Sequence, residues 1–280
     1  MGLIQSATVL RRKGTLTMTT QNQRALFAVG LCQTAGKMAS RYFLRRDALV
    51  VEMKGAQDWV SEADKKVEQY IRAEIQRSWP DDGIVGEEYG THEGTSGFVW
   101  VIDPIDGTTN FVNGIPAWTV VLAGVVEGRT VLGVIHDPNV DETYLAELGR
   151  GATLNGERLG VATEAPLNAG TVSVGYSNRV RADHVLPVIA ALIERGAMYH
   201  RNASGALSLA YVAAGRLLGY VEEHMNAWDC LAGQLLIEEA GGVIEKQNAD
   251  DMIRNGGRVV AGTPAVFPEL LAIADRAWSK

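Results

Sequence analysis

The sequence has little cysteine, no long apolar run and no excess of positive charge, and each absence excludes a class of protein. Its only two cysteines, Cys32 and Cys230, are too few and too far apart for a disulfide framework or a zinc site. Apolar runs are only as long as strands, so we expect no membrane span. The net charge of −7 argues against direct nucleic-acid binding. A reducing cytoplasm is the predicted location.

The remaining composition is that of a globular protein, with 46% hydrophobic and 21% charged residues. Residues 1–19 carry three basic residues at positions 11–13 after a short apolar stretch, which reverses the order of a secretory signal. We predict that residues 1–19 form a flexible extension. Two closely packed halves follow, an α+β half over residues 20–160 and an α/β half over residues 161–280.

Hydrophobic periodicity predicts two helices and then several strands in the first half. Apolar residues at helical spacing indicate a helix over residues 20–46. A second helix begins after Ser61, because Ser61 and Asp64 have the spacing of a capping box, and it ends near residue 79. The predicted strands, which would form an antiparallel sheet, are 98–102, 119–126, 130–135, 144–146 and 152–154.

The second half alternates between strands and helices, which is typical of a mixed α/β sheet. The predicted strands are residues 171–175, 220–222 and 258–261. The predicted helices are 183–195, one that starts at 204, one from 228 to the glycines at 241 and 242, and 268–278.

Three acidic segments have ordinary structural explanations when each is taken alone. Glu87 and Glu88 fit a solvated loop, Asp106 with Gly107 fits a turn, and Asp229 fits a helix N-cap. Their combination requires a further explanation.

Asp103 supplies the reason to consider them together, since it follows an apolar strand, where a carboxylate is costly unless something pairs with it. Pro104 and Gly107 force a tight exit from that strand, so Asp103 and Asp106 should point into one space. Two carboxylates this close repel each other unless a cation lies between them. Because their oxygen atoms are hard ligands, Mg²⁺ is the predicted cation. The small residues after Asp106 would offer N–H donors to a phosphate.

The segment DPIDGTTNF at residues 103–111 closely resembles the first signature of the inositol monophosphatase family. Residues 228–242 resemble its second signature. The segments DWVSEAD at 58–64, GEE at 86–88 and GATLNG at 151–156 occur in the order expected for the family.

This resemblance extends from about residue 22 to the C-terminus and implies a fold and a reaction. The expected fold is a layered αβαβα sandwich of the sugar phosphatase type, with an antiparallel first sheet and a mixed second sheet. The expected protein is a Mg²⁺-dependent, lithium-sensitive phosphomonoesterase, and the family precedent suggests a homodimer. A metal-activated water would attack a small phosphorylated alcohol or sugar, with myo-inositol 1-phosphate as the first choice.

The resemblance also implies metal ligands, for two to three ions in each site. Glu87, Asp103 and the carbonyl oxygen of Ile105 would hold one Mg²⁺. A second ion would be held by Asp103, Asp106 and Asp229, with Asp103 bridging the two. A third, weaker ion would depend on Glu87.

Catalytic roles follow from the same resemblance. Glu87 and Thr108 would position the attacking water, and Asp64 would support Thr108. Asp106, Gly107 and Thr108 would hold the phosphate. Asp64 is also the capping residue of its own helix, and we expect the two roles to compete, because a capping carboxylate turns towards its helix.

The alcohol-binding residues are less well defined. The family uses a helix start of the Gly-Ser/Thr-Ala type and a glutamate at a strand end, so Ser204, Gly205 and Glu222 are the predicted substrate contacts. Glu222 is explained equally well as a polar strand end. Residues 223–227 depart from the pattern of the inositol enzymes, which leaves histidinol phosphate, fructose 1,6-bisphosphate, NADP and phosphoadenosine nucleotides as alternatives.

A binding role is the alternative of another class. Some bacterial relatives in the family act in RNA polymerase antitermination complexes, so the chain could serve chiefly as an interaction protein. The complete acidic set argues against a purely non-catalytic protein.

Overall fold

A computed structural model describes residues 18–55, 58–177 and 180–279. Most of the predicted extension therefore lies outside the described residues, and its last two positions already belong to the first helix. The helices are α1 Met18–Phe43, α2 Glu62–Ser78, α3 Thr108–Val112, α4 Ala182–Glu194, α5 Gly205–Ala213, α6 Ala227–Glu239, α7 Ala249–Asn255 and α8 Phe267–Trp278.

The strands include every strand predicted from the sequence, with several ends displaced by a few residues. They are β1 Val51–Gly55, β2 Asp58–Ser61, β3 Gly83–Gly86, β4 Gly90–His92, β5 Phe98–Asp106, β6 Thr119–Val126, β7 Arg129–Asp137, β8 Glu142–Glu147, β9 Gly151–Leu154, β10 Glu157–Arg158, β11 Thr171–Val174, β12 Met198–His200, β13 Gly219–Met225, β14 Val243–Ile244 and β15 Gly257–Gly262.

The start of α2 shows how local sequence sets an element. The Ser61 hydroxyl accepts a hydrogen bond from the Ala63 N–H at 3.2 Å, and the Ser61 N–H donates to the Asp64 carboxylate at 2.8 Å. This is the predicted capping box, which satisfies backbone donors that a helix start leaves without partners. Val67 and Ile71 then form part of a buried apolar face.

The larger sheet has eight strands in the order β10-β9-β8-β7-β6-β5-β3-β4. One pairing departs from the predicted antiparallel arrangement, because β3 runs parallel to β5. All four residues of β3 are buried, so this strand lacks the alternation of polar and apolar residues by which a strand is identified in sequence.

The smaller sheet has five strands in the order β12-β11-β13-β15-β14. It is mixed, as predicted, since β11 runs parallel to β12 and β13 while β15 runs antiparallel to β13.

The elements stack in five layers, which confirms the predicted αβαβα sandwich. Helices α1 and α2 pack on the outer face of the larger sheet, α5 and α6 lie between the two sheets, and α4 and α8 cover the smaller sheet. Because α6 contacts both sheets, the division at residue 160 stays a prediction. In the described part of the chain, every helix falls short of the length or apolarity of a membrane span.

Candidate active site

The last residues of β5 carry two of the predicted metal ligands. Asp103 and Asp106 are three positions apart, so in a regular strand their side chains would point to opposite faces. The pairing with β6 shifts register between them, since Asp103 lies opposite Val121 and Asp106 opposite Thr119. This bulge allows both carboxylates to face one space.

A third carboxylate comes from the second half of the chain. Asp229 lies in the first turn of α6, where it accepts a hydrogen bond from the Asn226 N–H at 3.2 Å. It is therefore the third residue of the helix and not its N-cap. One carboxylate oxygen each from Asp103, Asp106 and Asp229 lie within 4.8 Å of one another, and we call these residues the aspartate trio.

The electrostatics of the trio favour a cation. Burial raises the pKa of Asp103 well above its ordinary value, and the negative charges of Glu87, Asp106 and Asp229 raise it further. Burial and the charge of Asp229 raise the pKa of Asp106 to about 7, against the opposing effect of its hydrogen bonds. Three hard oxygen donors that repel one another fit a divalent ion such as Mg²⁺.

Glu87 lies near the trio but is not part of it. It follows β3, and its N–H donates to the Ile102 carbonyl oxygen at 3.3 Å. Its charge acts on Asp103, so the two carboxylates belong to one electrostatic site. The Glu87 oxygens do not lie within the 4.8 Å group, and its role as a ligand stays a prediction.

Thr108 contacts Asp64 as predicted. Its hydroxyl is 3.1 Å from Asp64 Oδ1 and also 3.1 Å from the Ile105 carbonyl oxygen. The other Asp64 oxygen, Oδ2, accepts the hydrogen bonds of Ser61. The expected competition between capping and support of Thr108 is wrong, because each oxygen serves one role. Burial raises the pKa of Asp64 to about 6.

Gly107 joins β5 to α3 in a conformation that requires glycine. Its φ is 96°, in the left-handed region, and an added Cβ would lie 3.0 Å from the Ala117 carbonyl oxygen and 3.2 Å from Ser204 Cβ. The chain thereby turns at once from Asp106 to Thr108. Phosphate binding by Asp106, Gly107 and Thr108 stays a prediction.

Ser204 and Gly205 have a function that the sequence analysis missed. The Ser204 hydroxyl donates to Asp106 Oδ2 and caps α5. The N–H groups of Gly205 and Ala206 donate to Asp106 at 3.3 and 2.9 Å, so the start of α5 holds a member of the trio. Contact of Ser204 and Gly205 with substrate stays a prediction.

A cleft of about 170 Å³ opens beside the trio. The residues that line it include Asp106, Asp229, Glu222 and Arg201. The Tyr220 hydroxyl donates to Glu222 and also faces the cleft. Tyr220 was missed by the sequence analysis, although its spacing of two from Glu222 on one strand places both side chains on the same face.

Comparison with known proteins assigns the chain and its fold to a family. The profile of the inositol monophosphatase family matches residues 20–279. This chain belongs to that family. It is 38% identical over 248 residues to the Nus factor SuhB of Escherichia coli strain K12, which covers 88% of this chain and 93% of that protein.

Solved structures of family members agree with this assignment. The SuhB protein of Bartonella henselae superposes with a TM-score of 0.85 at 32% identity, over 91% of this chain and 99% of that one. The Thermotoga maritima IMPase superposes with a TM-score of 0.82 at 32% identity, over 92% of this chain and 98% of that one. The family member described here is a phosphoric monoester hydrolase, and the family is metal-dependent, typically with Mg²⁺.

Proposed function

We propose that this protein hydrolyses a small alcohol phosphate in a Mg²⁺-dependent reaction, with myo-inositol 1-phosphate as its substrate. The observation that carries the proposal is a cleft lined both by Asp106 and Asp229 of the aspartate trio and by Glu222. A carboxylate accepts hydrogen bonds from vicinal hydroxyls, so Glu222 suits a polyol. The name of the Thermotoga maritima relative, IMPase, supports the same substrate class.

The trio, Glu87 and the Ile105 carbonyl oxygen would hold two Mg²⁺ ions, with a third and weaker ion at Glu87. Bound Mg²⁺ would supply Lewis acidity to the phosphoryl group and lower the pKa of water. The fit rests on the donor set, since carboxylate and carbonyl oxygens are the ligands that this ion prefers.

Thr108 and Glu87 would orient the attacking water. Because Asp64 is an acceptor, the Thr108 hydroxyl donates to it and keeps a lone pair for an O–H of the water. Glu87 would accept the other O–H, which turns a lone pair of the water towards phosphorus. The N–H groups of Gly107 and Thr108 would hold the phosphate, and the leaving alkoxide would take its proton from water.

The test is phosphate release from a substrate panel with Mg²⁺ present or chelated. The panel contains inositol 1-phosphate, histidinol phosphate, fructose 1,6-bisphosphate, NADP and phosphoadenosine phosphate. We expect metal-dependent, lithium-sensitive turnover with the highest kcat/KM for inositol 1-phosphate. A higher kcat/KM for another member would replace the substrate, and turnover that survives chelation would contradict the metal mechanism.

A second candidate function is binding to the transcription machinery. The name Nus factor SuhB, which the Escherichia coli relative carries, favours it. Purified RNA polymerase subunits should be retained by the immobilised protein if this role is present. Retention that does not change when the trio is mutated would show that binding and catalysis are separate functions.

We also propose a homodimer in a reducing cytoplasm. Both Cys32 and Cys230 are buried and unbridged, as thiols in a reducing compartment would be. Sedimentation equilibrium tests the dimer, and a single species of monomer mass would exclude it.

A further inference from the structure

Helix α2 carries three polar side chains on one face, and they contact Thr108 and the turn that follows β3. Asp64, Glu68 and Arg72 follow one another at intervals of four residues, so they lie on one side of the helix. Asp64 contacts Thr108 as described above. Glu68 instead lies beneath the turn at residues 86–90, which carries Glu87.

The Glu68 carboxylate is fully buried and accepts hydrogen bonds from the turn. Its Oε2 accepts from the Glu88 N–H at 2.8 Å, and its Oε1 accepts from the Tyr89 N–H at 3.2 Å. Arg72 Nε donates to Oε1 at 2.7 Å, and another nitrogen of Arg72 donates to the Gly90 carbonyl oxygen. Helix α2 thus holds the chain immediately after Glu87.

The residue before Glu87, Gly86, packs closely against the same carboxylate. A Cβ added to Gly86 would lie 2.2 Å from Glu68 Oε1, so glycine is needed there because the carboxylate packs against the backbone. Glu87 itself is bonded through its N–H to Ile102 on β5. Its backbone is therefore held from β5 on one side and from Glu68 on the other.

We propose that Glu68 is a positioning residue that presets Glu87 for metal binding. The proposal rests on the proposed function, in which Glu87 is a metal ligand. Residues that orient a metal ligand without binding the metal themselves raise metal affinity, because the site does not have to be ordered when the ion binds. Glu68 would act in this way through the backbone of the turn.

Glu68→Gln is the sharpest test because it keeps the size of the side chain. Each Glu68 oxygen accepts a hydrogen bond from an N–H group, so the new amide nitrogen must face a donor in either orientation. Glu74→Gln is the matched control, since it makes the same change on α2 at an ion pair with Arg77.

Three quantities are measured for each variant: Mn²⁺ affinity by calorimetry without substrate, the Mg²⁺ concentration for half-maximal activity, and Tm. For Glu68→Gln we expect Mn²⁺ binding to weaken by about 10–100-fold. The Mg²⁺ requirement should rise by a similar factor, while kcat at saturating Mg²⁺ is largely retained. Glu74→Gln should change neither metal quantity. A fall in Tm with unchanged Mn²⁺ affinity would overturn the proposal, since it indicates a merely structural role.

Arg72→Gln provides an independent variant if Glu68→Gln does not fold. It leaves both backbone hydrogen bonds to Glu68 but removes the guanidinium that orients the carboxylate, so Mn²⁺ binding should weaken several-fold relative to Glu74→Gln. Equal affinity in the two variants would overturn the proposal. A wild-type protein that binds no Mn²⁺ would overturn the proposed function as well, whereas tight wild-type binding that Glu68→Gln leaves unchanged would overturn only the role of Glu68.

Discussion

The carboxylate of Asp82 and those of the aspartate trio have opposite surroundings. Asp82 receives a two-point contact from the Arg24 guanidinium at 2.8 and 3.1 Å. It also accepts hydrogen bonds from Trp100 Nε1 at 3.0 Å and from the Ser96 hydroxyl at 2.6 Å. This carboxylate is neutralised by the fold itself.

The aspartate trio is surrounded by negative charge. The hydrogen bonds that Asp103 and Asp106 accept come from backbone N–H groups and from hydroxyls, all of which are neutral donors. The comparison teaches that a buried aspartate paired with an arginine, as Asp82 is with Arg24, acts as a structural link between distant segments. Where neutral donors and other carboxylates surround it, the charge is left for a bound cation to balance.

The largest effect should come from Asp103→Asn, which removes a charge from the trio at nearly constant size. We expect kcat/KM to fall by about 10³-fold or more, because metal-derived stabilisation of several kcal/mol is lost. The metal-free variant should melt at the same temperature as the wild type or higher, since repulsion is relieved. Phosphate release with Mg²⁺ present measures kcat/KM, and thermal melting in chelator measures the stability of the metal-free protein.

Asp81→Asn serves as the control, because Asp81 is exposed and directly precedes Asp82 in the sequence. It should change neither kcat/KM nor the melting temperature of the metal-free protein. If Asp103→Asn destabilised the metal-free protein as strongly as a broken ion pair, the contrast between Asp82 and the trio would be wrong.

Asp82→Asn should show the reverse behaviour. The change leaves the Arg24 guanidinium buried without its counter-charge, which costs about 3–5 kcal/mol of the free energy of unfolding. The activity of the folded fraction should be unchanged. Urea unfolding monitored by Trp fluorescence gives the free energy of unfolding. Phosphate release per folded molecule gives the activity of the folded fraction. A stability loss no larger than that of Asp81→Asn would show that the pair does not hold the fold together.

Ser204→Ala tests a contact between the two halves. Loss of the helix cap should lower the free energy of unfolding by about 0.5–2 kcal/mol. Loss of the hydroxyl from Asp106 should raise the Mg²⁺ requirement about 10-fold. The control is Asn248→Ala, which removes the cap of α7, where Asn248 accepts from the N–H groups of Asp250 and Asp251. An equal Mg²⁺ requirement in the two variants would rule out a positioning role for Ser204.

The smallest effect should be a pH dependence of Tm in the absence of metal. The pKa values of Asp64 and Asp106 are raised to about 6 and about 7 by burial. A raised pKa contributes stability that is fully present below the ordinary Asp pKa of about 4 and is lost as pH rises through the folded pKa, so Tm should fall between about pH 4 and pH 7.

Mg²⁺ should reverse this trend, because it binds the ionised carboxylates and competes with protons. The rise in Tm on adding Mg²⁺ should therefore be larger at pH 8 than at pH 5. Asp106→Asn should show a weaker pH dependence than the wild type. A Tm profile in chelator that is flat over this range would contradict the interpretation.

The parts of the site that were predictable depend on residues close together in sequence. The capping box of Ser61 and Asp64 spans four residues, and the signature around Asp103 spans nine. The sequence also indicated that Asp103 and Asp106 share a space, although the bulge that achieves it depends on the pairing with β6. The site roles carried over from the family remain predictions that the variants above would test.

Residue type and local spacing by themselves determined most of the helices and strands and the position of the acidic residues, because each depends on interactions within a few turns of chain. The layered fold class was implied by the resemblance of the signature segments to a known family. Only the tertiary structure decided that Ser204 binds Asp106 from 98 positions away, and that Glu68 lies beneath the turn after Glu87. It also divided the two oxygens of Asp64 between two roles. The physical reason is that a hydrogen bond between distant segments depends on how layers pack, and no local pattern records that packing.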